Sequence, residues 1–133
     1  MRSPKRARKE LDREHPLIDD TYAALGIWRP DADSLRKIRE AIVEDPSAWK
    51  RARNAKSFRE TWTMGGDALK RAPKGFDPEH PLIEDLRRKD FIASRKLTKK
   101  AVMSADLPAE LAALFKRGAP FQRRICGVLG LQY

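Results

Sequence analysis

Between Gly65 and Leu82 the chain reads Gly65-Gly66-Asp67-Ala68-Leu69-Lys70-Arg71-Ala72-Pro73-Lys74-Gly75-Phe76-Asp77-Pro78-Glu79-His80-Pro81-Leu82. This stretch holds three of the seven glycines, three of the nine prolines and one of the two histidines. Glycine opens backbone regions that other residues avoid, and proline removes the N–H and fixes φ. At this density they set turns rather than build a regular element. Any fold must therefore organise its helices and strands on either side of an irregular centre.

On the N-terminal side, residues 21–28 (TYAALGIW) form a strand candidate, stopped by Arg29-Pro30. Gly26 inside it signals a close backbone approach or a bulge. Asp31 or Asp33 then caps a helix whose Leu35, Ile38 and Ile42 lie on one stripe. Asp45-Pro46 opens a second, short helix through Trp49 and Ala52, with Trp49 read as core. Residues 58–64 (FRETWTM) alternate as a strand with Phe58, Glu60, Trp62 and Met64 on one side, and Leu69-Lys70-Arg71 reads as a second short strand. Pro73-Lys74-Gly75-Phe76 is a turn.

Beyond the centre, Pro81 opens a helix that buries Leu82, Ile83 and Leu86. Residues 90–97 (DFIASRKL) form a third strand with Phe91 and Ala93 on one face, and residues 99–102 are weakly helical. Pro108 starts a helix with an apolar stripe of Leu111, Leu114 and Phe115, ended by Gly118. Pro120 opens another, with Phe121, Ile125, Val128 and Leu129 on one side and Cys126 beside them as a small core residue. The expected fold class is α+β: a small antiparallel sheet with helices packed on one face.

At 133 residues the chain supports one domain, with residues 1–20 as a basic, poorly ordered segment and residues 21–133 as the α+β unit. No run approaches the roughly 18 apolar residues of a membrane span, and the charged N-terminus lacks the apolar core of a secretory signal. The single cysteine forms no internal disulfide and no metal-ligand spacing, so the cytoplasm is the default compartment. The net charge of +10 points to an anionic partner. One near-repeat stands out: Glu14-His15-Pro16-Leu17-Ile18-Asp19-Asp20 matches Glu79-His80-Pro81-Leu82-Ile83-Glu84-Asp85 almost letter for letter.

The run Leu69-Lys70-Arg71-Ala72-Pro73-Lys74-Gly75-Phe76, followed by His80-Pro81, carries a resemblance. With it go Gly26-Ile27-Trp28-Arg29-Pro30, then Leu35, Ile38, Arg39 and Ile42, and finally Leu86 with Lys89. From Thr21 onward the chain resembles a bacterial family catalogued as domain of unknown function 2461. The resemblance implies a protein of unassigned activity, with Trp28, Arg29, Lys70, Arg71, Lys74 and His80 as its binding-motif positions. Family members are typically longer, so the chain is expected to be a truncated, C-terminal version of the family domain. An exposed sheet edge would then await an oligomer or partner.

The chemistry is sparse. His80 near Asp77, Glu79 and Asp85 could act as a general base; the plainer reading makes it a turn residue before Pro81, with acids favouring the next helix N-terminus. No catalytic constellation, metal set or cofactor fingerprint is present, and whether the chain is an enzyme stays open. Two further readings stand beside that of an uncharacterised family domain. One is weak, non-specific binding of nucleic acid or another polyanion, through a patch that includes Lys50, Arg51, Arg53 and the central lysines and arginines, with Arg87, Arg88, Arg95 and Lys96 as its focus. The other is a remnant enzyme site around Lys70, Arg71, Lys74 and His80.

Overall fold

A computed structural model describes residues 21–131. The expectations for residues 1–20, including the first copy of the near-repeat, lie outside them. Among the described residues three strands and seven helices follow one another. Strand β1 is Tyr22–Ile27; helices α1 (Ala32–Glu44), α2 (Pro46–Arg53) and α3 (Lys56–Thr61) follow, then the short β2 (Thr63–Gly65). After the irregular centre come one helical turn, α4 (Ile83–Leu86), and β3 (Phe91–Lys96). Helices α5 (Lys99–Val102), α6 (Leu107–Arg117) and α7 (Ala119–Leu129) close the fold. None of the helices is long and apolar enough to cross a membrane.

The sheet has the order β1-β3-β2 and is antiparallel throughout, so the last strand in the sequence is central. Tyr22 stands opposite Lys96 and Ile27 opposite Phe91, while Thr63 stands opposite Ser94 on the other edge of β3. The register aligns Leu25, Ala93 and Met64 across one face. On that face Ala23, Leu25, Phe91 and Ala93 are buried, whereas Tyr22 and Ala24, facing the other way, are exposed. The buried face carries an aromatic cluster in place of a broad sheet core. Trp49 meets Phe91 and Phe121 edge-on, with ring centroids 5.7 and 5.9 Å apart, and Phe58 stacks on Phe121 at 4.8 Å. Ile38 and Ile42 of α1 and Ile125 of α7 complete the core.

The reading of β1, α1, α2, β3, α5, α6 and α7 holds. Asp31 caps α1 by accepting the Ser34 N–H at 2.8 Å, which holds its carboxyl below the usual range. Asp45 caps α2 by accepting the Ala48 N–H at 3.1 Å, with Pro46 in the first turn. Trp49 is fully buried, as expected of a core residue. Gly26 sits at φ +98°, and a Cβ there would lie 2.1 Å from the Phe91 carbonyl oxygen and 3.1 Å from the Phe121 ring. Its N–H donates to Gln122 Oε1 at 2.7 Å, which fastens α7 to the sheet edge.

Three expectations are corrected. Residues 58–64 are not one strand: α3 occupies Lys56–Thr61 and only Thr63–Gly65 is extended. Phe58 and Trp62 are four apart, so a helical turn also puts them on one side. Phe58 stacking on Phe121, with Lys56 and Glu60 paired along the exposed side at 4.0 Å, decides for the helix. Leu69-Lys70-Arg71 makes no strand, because Pro73 cuts the pairing short and only an isolated bridge between Ala68 and Arg88 forms. Pro81 and Leu82 form a turn ahead of α4, which is shorter than expected, although Leu86 is buried. Gly118 ends α6 as expected, in ordinary backbone at φ −91°.

The glycines give a paired test. Gly26→Ala forces a Cβ into a carbonyl oxygen at positive φ and should lower stability by more than about 2 kcal/mol. Gly127→Ala, in α7 with open space around it, should raise stability by about 0.5–1 kcal/mol. Urea unfolding followed by tryptophan fluorescence measures both.

Candidate functional site

The irregular segment 66–89 is fastened to the fold at three points, each using a charged side chain with little exposure. The first is Asp90, only 4% exposed at the start of β3. Its Oδ1 accepts the Arg29 N–H at 2.7 Å and its Oδ2 accepts the Asp67 N–H at 2.9 Å. One carboxylate thus ties the end of β1 to the start of the loop. Gly66, at φ +84°, passes so close that a Cβ would lie 2.6 Å from Asp90 Cβ. The Leu69 N–H then donates to the Arg87 carbonyl at 2.7 Å, and the Lys89 N–H to the Asp67 carbonyl at 2.8 Å, pinning the two ends of the segment side by side.

The second point is Arg39 of α1. Its Nε donates to the Leu86 carbonyl at 2.8 Å and its Nη2 to the Arg88 carbonyl at 2.9 Å. Two carbonyl acceptors, at the last residue of α4 and two residues beyond it, are thereby satisfied by one planar fork. Burial pushes this guanidinium below its ordinary pKa. The third is Asp85, 8% exposed. It accepts the Trp49 indole N–H at 2.8 Å and Arg88 Nε at 2.9 Å, with Arg53 Nε at 3.4 Å. A buried carboxylate needs such partners.

Within this frame the turn at Pro73–Phe76 closes through the Phe76 N–H and the Pro73 carbonyl at 3.1 Å. Phe76 is half-buried. A groove lies on each side of the turn, and Pro73, Lys74, Gly75 and Phe76 line both. One, of about 580 Å³, is ringed by Lys70, Arg71, Lys74 and Arg87 over a floor that includes Ile83; none of its lining residues is acidic. The other, of about 1060 Å³, separates the turn from α1 and is lined by Leu35, Val43, Glu40, Glu44, Asp77 and His80 among others.

The expected site residues therefore divide. Lys70, Arg71 and Lys74 come together with Arg87, whose Nε is anchored on the Leu69 carbonyl at 3.1 Å. Lys74 and His80 share the α1 groove. Trp28 and Arg29 line neither: Trp28 is exposed, with the Arg29 guanidinium 4.4 Å from its ring centroid. Arg88 is engaged by Asp85. Arg95 and Lys96 lie at the opposite end of β3, where Arg95 Nη1 donates to the Thr61 carbonyl at 3.3 Å.

His80 is placed as a turn residue. Its Nδ1 accepts the Leu82 N–H at 3.0 Å and its own N–H donates to the Asp77 carbonyl at 3.1 Å. Asp77 Oδ1 accepts the Glu79 N–H at 2.9 Å, and Asp85 is taken up by Trp49 and the arginines. Among the described residues no three His, Cys, Asp or Glu side chains converge as metal ligands would. The fastening roles of Arg39, Asp85 and Asp90 and the presence of Phe76 in both grooves are additions to the sequence reading. Arg39 stands in the sequence among the residues that carry the resemblance, and Asp90 as an acid directly before the buried Phe91.

A family model described as "Conserved hypothetical protein (DUF2461)" matches residues 15–123. The match covers the whole loop and both grooves, and starts at His15, inside the first copy of the near-repeat. No curated protein and no solved structure matches the chain.

Replacing Asp90 with Asn tests the first fastening point. An amide can accept one of the two N–H groups but turns its own NH2 toward the other, which should cost about 1–3 kcal/mol. Amide exchange at Arg29 and Asp67 should quicken well beyond that at Phe91, as read by hydrogen exchange and NMR.

Proposed function

Because the chain belongs to the DUF2461 family of conserved hypothetical proteins, whose model spans the loop and both grooves, we propose that this loop is its ligand-binding part and that it binds a polyanion, weakly and without sequence preference. The observation that carries this reading is the sorting of the cations. Arg39, Arg53, Arg88 and Arg117 are held by carbonyls, carboxylates or a hydroxyl of the fold, and Arg36 and Lys37 by Asp33. Lys70, Arg71 and Lys74 have no ion-pair partner among the described residues, and with Arg87 they surround a single groove free of lining acids. Cations gathered without carboxylates repel one another, and a bound anion relieves that repulsion.

The reading favours binding over catalysis. A histidine whose Nδ1 is occupied by a backbone N–H, with its neighbouring acids engaged elsewhere, supplies no base–carboxylate pair. The cytoplasm, where nucleic acid is abundant and a lone thiol such as Cys126 stays reduced, is the compartment this role suits.

The test is fluorescence anisotropy with a labelled single-stranded oligonucleotide across a salt series. With four cations at the groove, log K should fall against log salt with a slope of about −3. Each of Lys70→Ala, Arg71→Ala and Lys74→Ala should reduce that slope by about 0.7. Lys56→Ala and Lys116→Ala, which remove equal charge outside the groove, should leave it nearly unchanged. Affinity independent of salt, or equal losses at all five positions, would refute the assignment.

A further inference from the structure

The two grooves that meet at the Pro73–Phe76 turn differ in chemistry. All the charged residues lining the smaller are cations, whereas the larger combines an apolar wall with hydrogen-bonding groups of both kinds. Leu35, Val43 and Phe76 supply the wall, and Val43 is 42% exposed at the end of α1. Of the cations there, Arg39 is spent on the Leu86 and Arg88 carbonyls, and Arg36 on Asp33 and Glu40. The rest of the polar lining is Glu44, Asp77, whose Oδ1 accepts the Glu79 N–H, His80, and Lys74 at the turn. Because His80 Nδ1 accepts a backbone N–H, the neutral ring carries its proton on Nε2, leaving that nitrogen as a donor.

A polyphosphate has no use for such a groove, since carboxylates repel it and an apolar wall offers it nothing. A nucleobase suits it: its face packs on an aromatic ring, and its edge carries amino donors and ring acceptors. Lys74, present in the lining of both grooves, stands where a phosphate next to that base would lie. Duplex nucleic acid keeps its bases stacked and out of reach, whereas a single strand presents them.

Resting on the polyanion reading above, we propose that the ligand is single-stranded nucleic acid. Its backbone phosphates lie in the groove of Lys70, Arg71, Lys74 and Arg87, and one unstacked base enters the groove between Phe76 and α1. Charge complementarity assigns the two parts of the ligand to the two grooves, and the shared turn makes the site continuous.

The experiment compares four probes of equal phosphate number on the full chain at one salt concentration: a mixed-sequence single strand, its abasic analogue, inorganic polyphosphate and a duplex. The single strand should bind about tenfold more tightly than the abasic strand, the difference one stacked base carries. Val43→Trp, which fills the α1 groove from an exposed position and lies outside the cationic groove, should abolish that preference while leaving polyphosphate affinity unchanged. Phe76→Ala is the second variant: it removes the stacking ring and should lower the preference for the single strand over the abasic strand as well. Equal affinity for the single strand, abasic strand and polyphosphate would overturn the base site and leave polyanion binding standing. Binding to none of the four would overturn both, and tighter binding to the duplex would overturn the single-strand assignment.

Discussion

A single buried carboxylate governs how the irregular centre of this chain is held. Asp90 spends both oxygens on backbone N–H groups, one at the end of β1 and one at the start of the loop, and so converts two chain crossings into a fixed junction. The cost of burying that charge is offset by the two backbone N–H groups that donate to it. Gly66 must lack a Cβ for the loop to pass the carboxylate at all. With the junction fixed, the segment from Asp67 to Lys89 begins and ends beside itself, and the turn at Pro73–Phe76 projects from a closed base.

The other two fastenings explain which basic residues are left for a ligand. Arginine offers a planar fork of donors and is the side chain suited to bridging carbonyls and a buried carboxylate; Arg39, Arg53 and Arg88 do this. Lysine is a hydrated point charge on a flexible stem, and Lys70 and Lys74 remain exposed at the turn. The fold thus absorbs part of its positive charge as structural material and gathers Lys70, Arg71, Lys74 and Arg87 at one groove, while others such as Lys50, Arg51, Lys99 and Lys116 are exposed elsewhere. Net charge alone does not distinguish these two uses.

Much of the architecture was legible in the sequence because local rules and tertiary packing agree there. The Leu35–Ile38–Ile42 stripe with Asp31 before it, the Asp45-Pro46 restart and the Phe91–Ala93 alternation each have one reading. Residues 58–64 were misread because Phe58 and Trp62 satisfy a period of two and a helical turn equally well. Stacking of Phe58 on Phe121, more than sixty positions away, settles the choice, and no local pattern contains it. The site was legible as a list of basic residues and as a Gly/Pro-rich loop. Its division was not, since Arg39 reaches carbonyls 47 and 49 positions away and Trp49 reaches a carboxylate 36 away. Asp85, grouped with His80 by sequence proximity, belongs instead to the buried Trp49–Arg88 contact.

The most direct measurement is amide chemical-shift mapping by NMR during titration with a short single-stranded oligonucleotide at low salt. The expected result is a set of shifts centred on Lys70–Phe76 and Arg87, extending to the Leu35 and Val43 side of α1 and absent from the end of β3. Shifts centred on Arg95 and Lys96, or spread evenly over every basic residue of the surface, would contradict the assignment of the loop as the binding site.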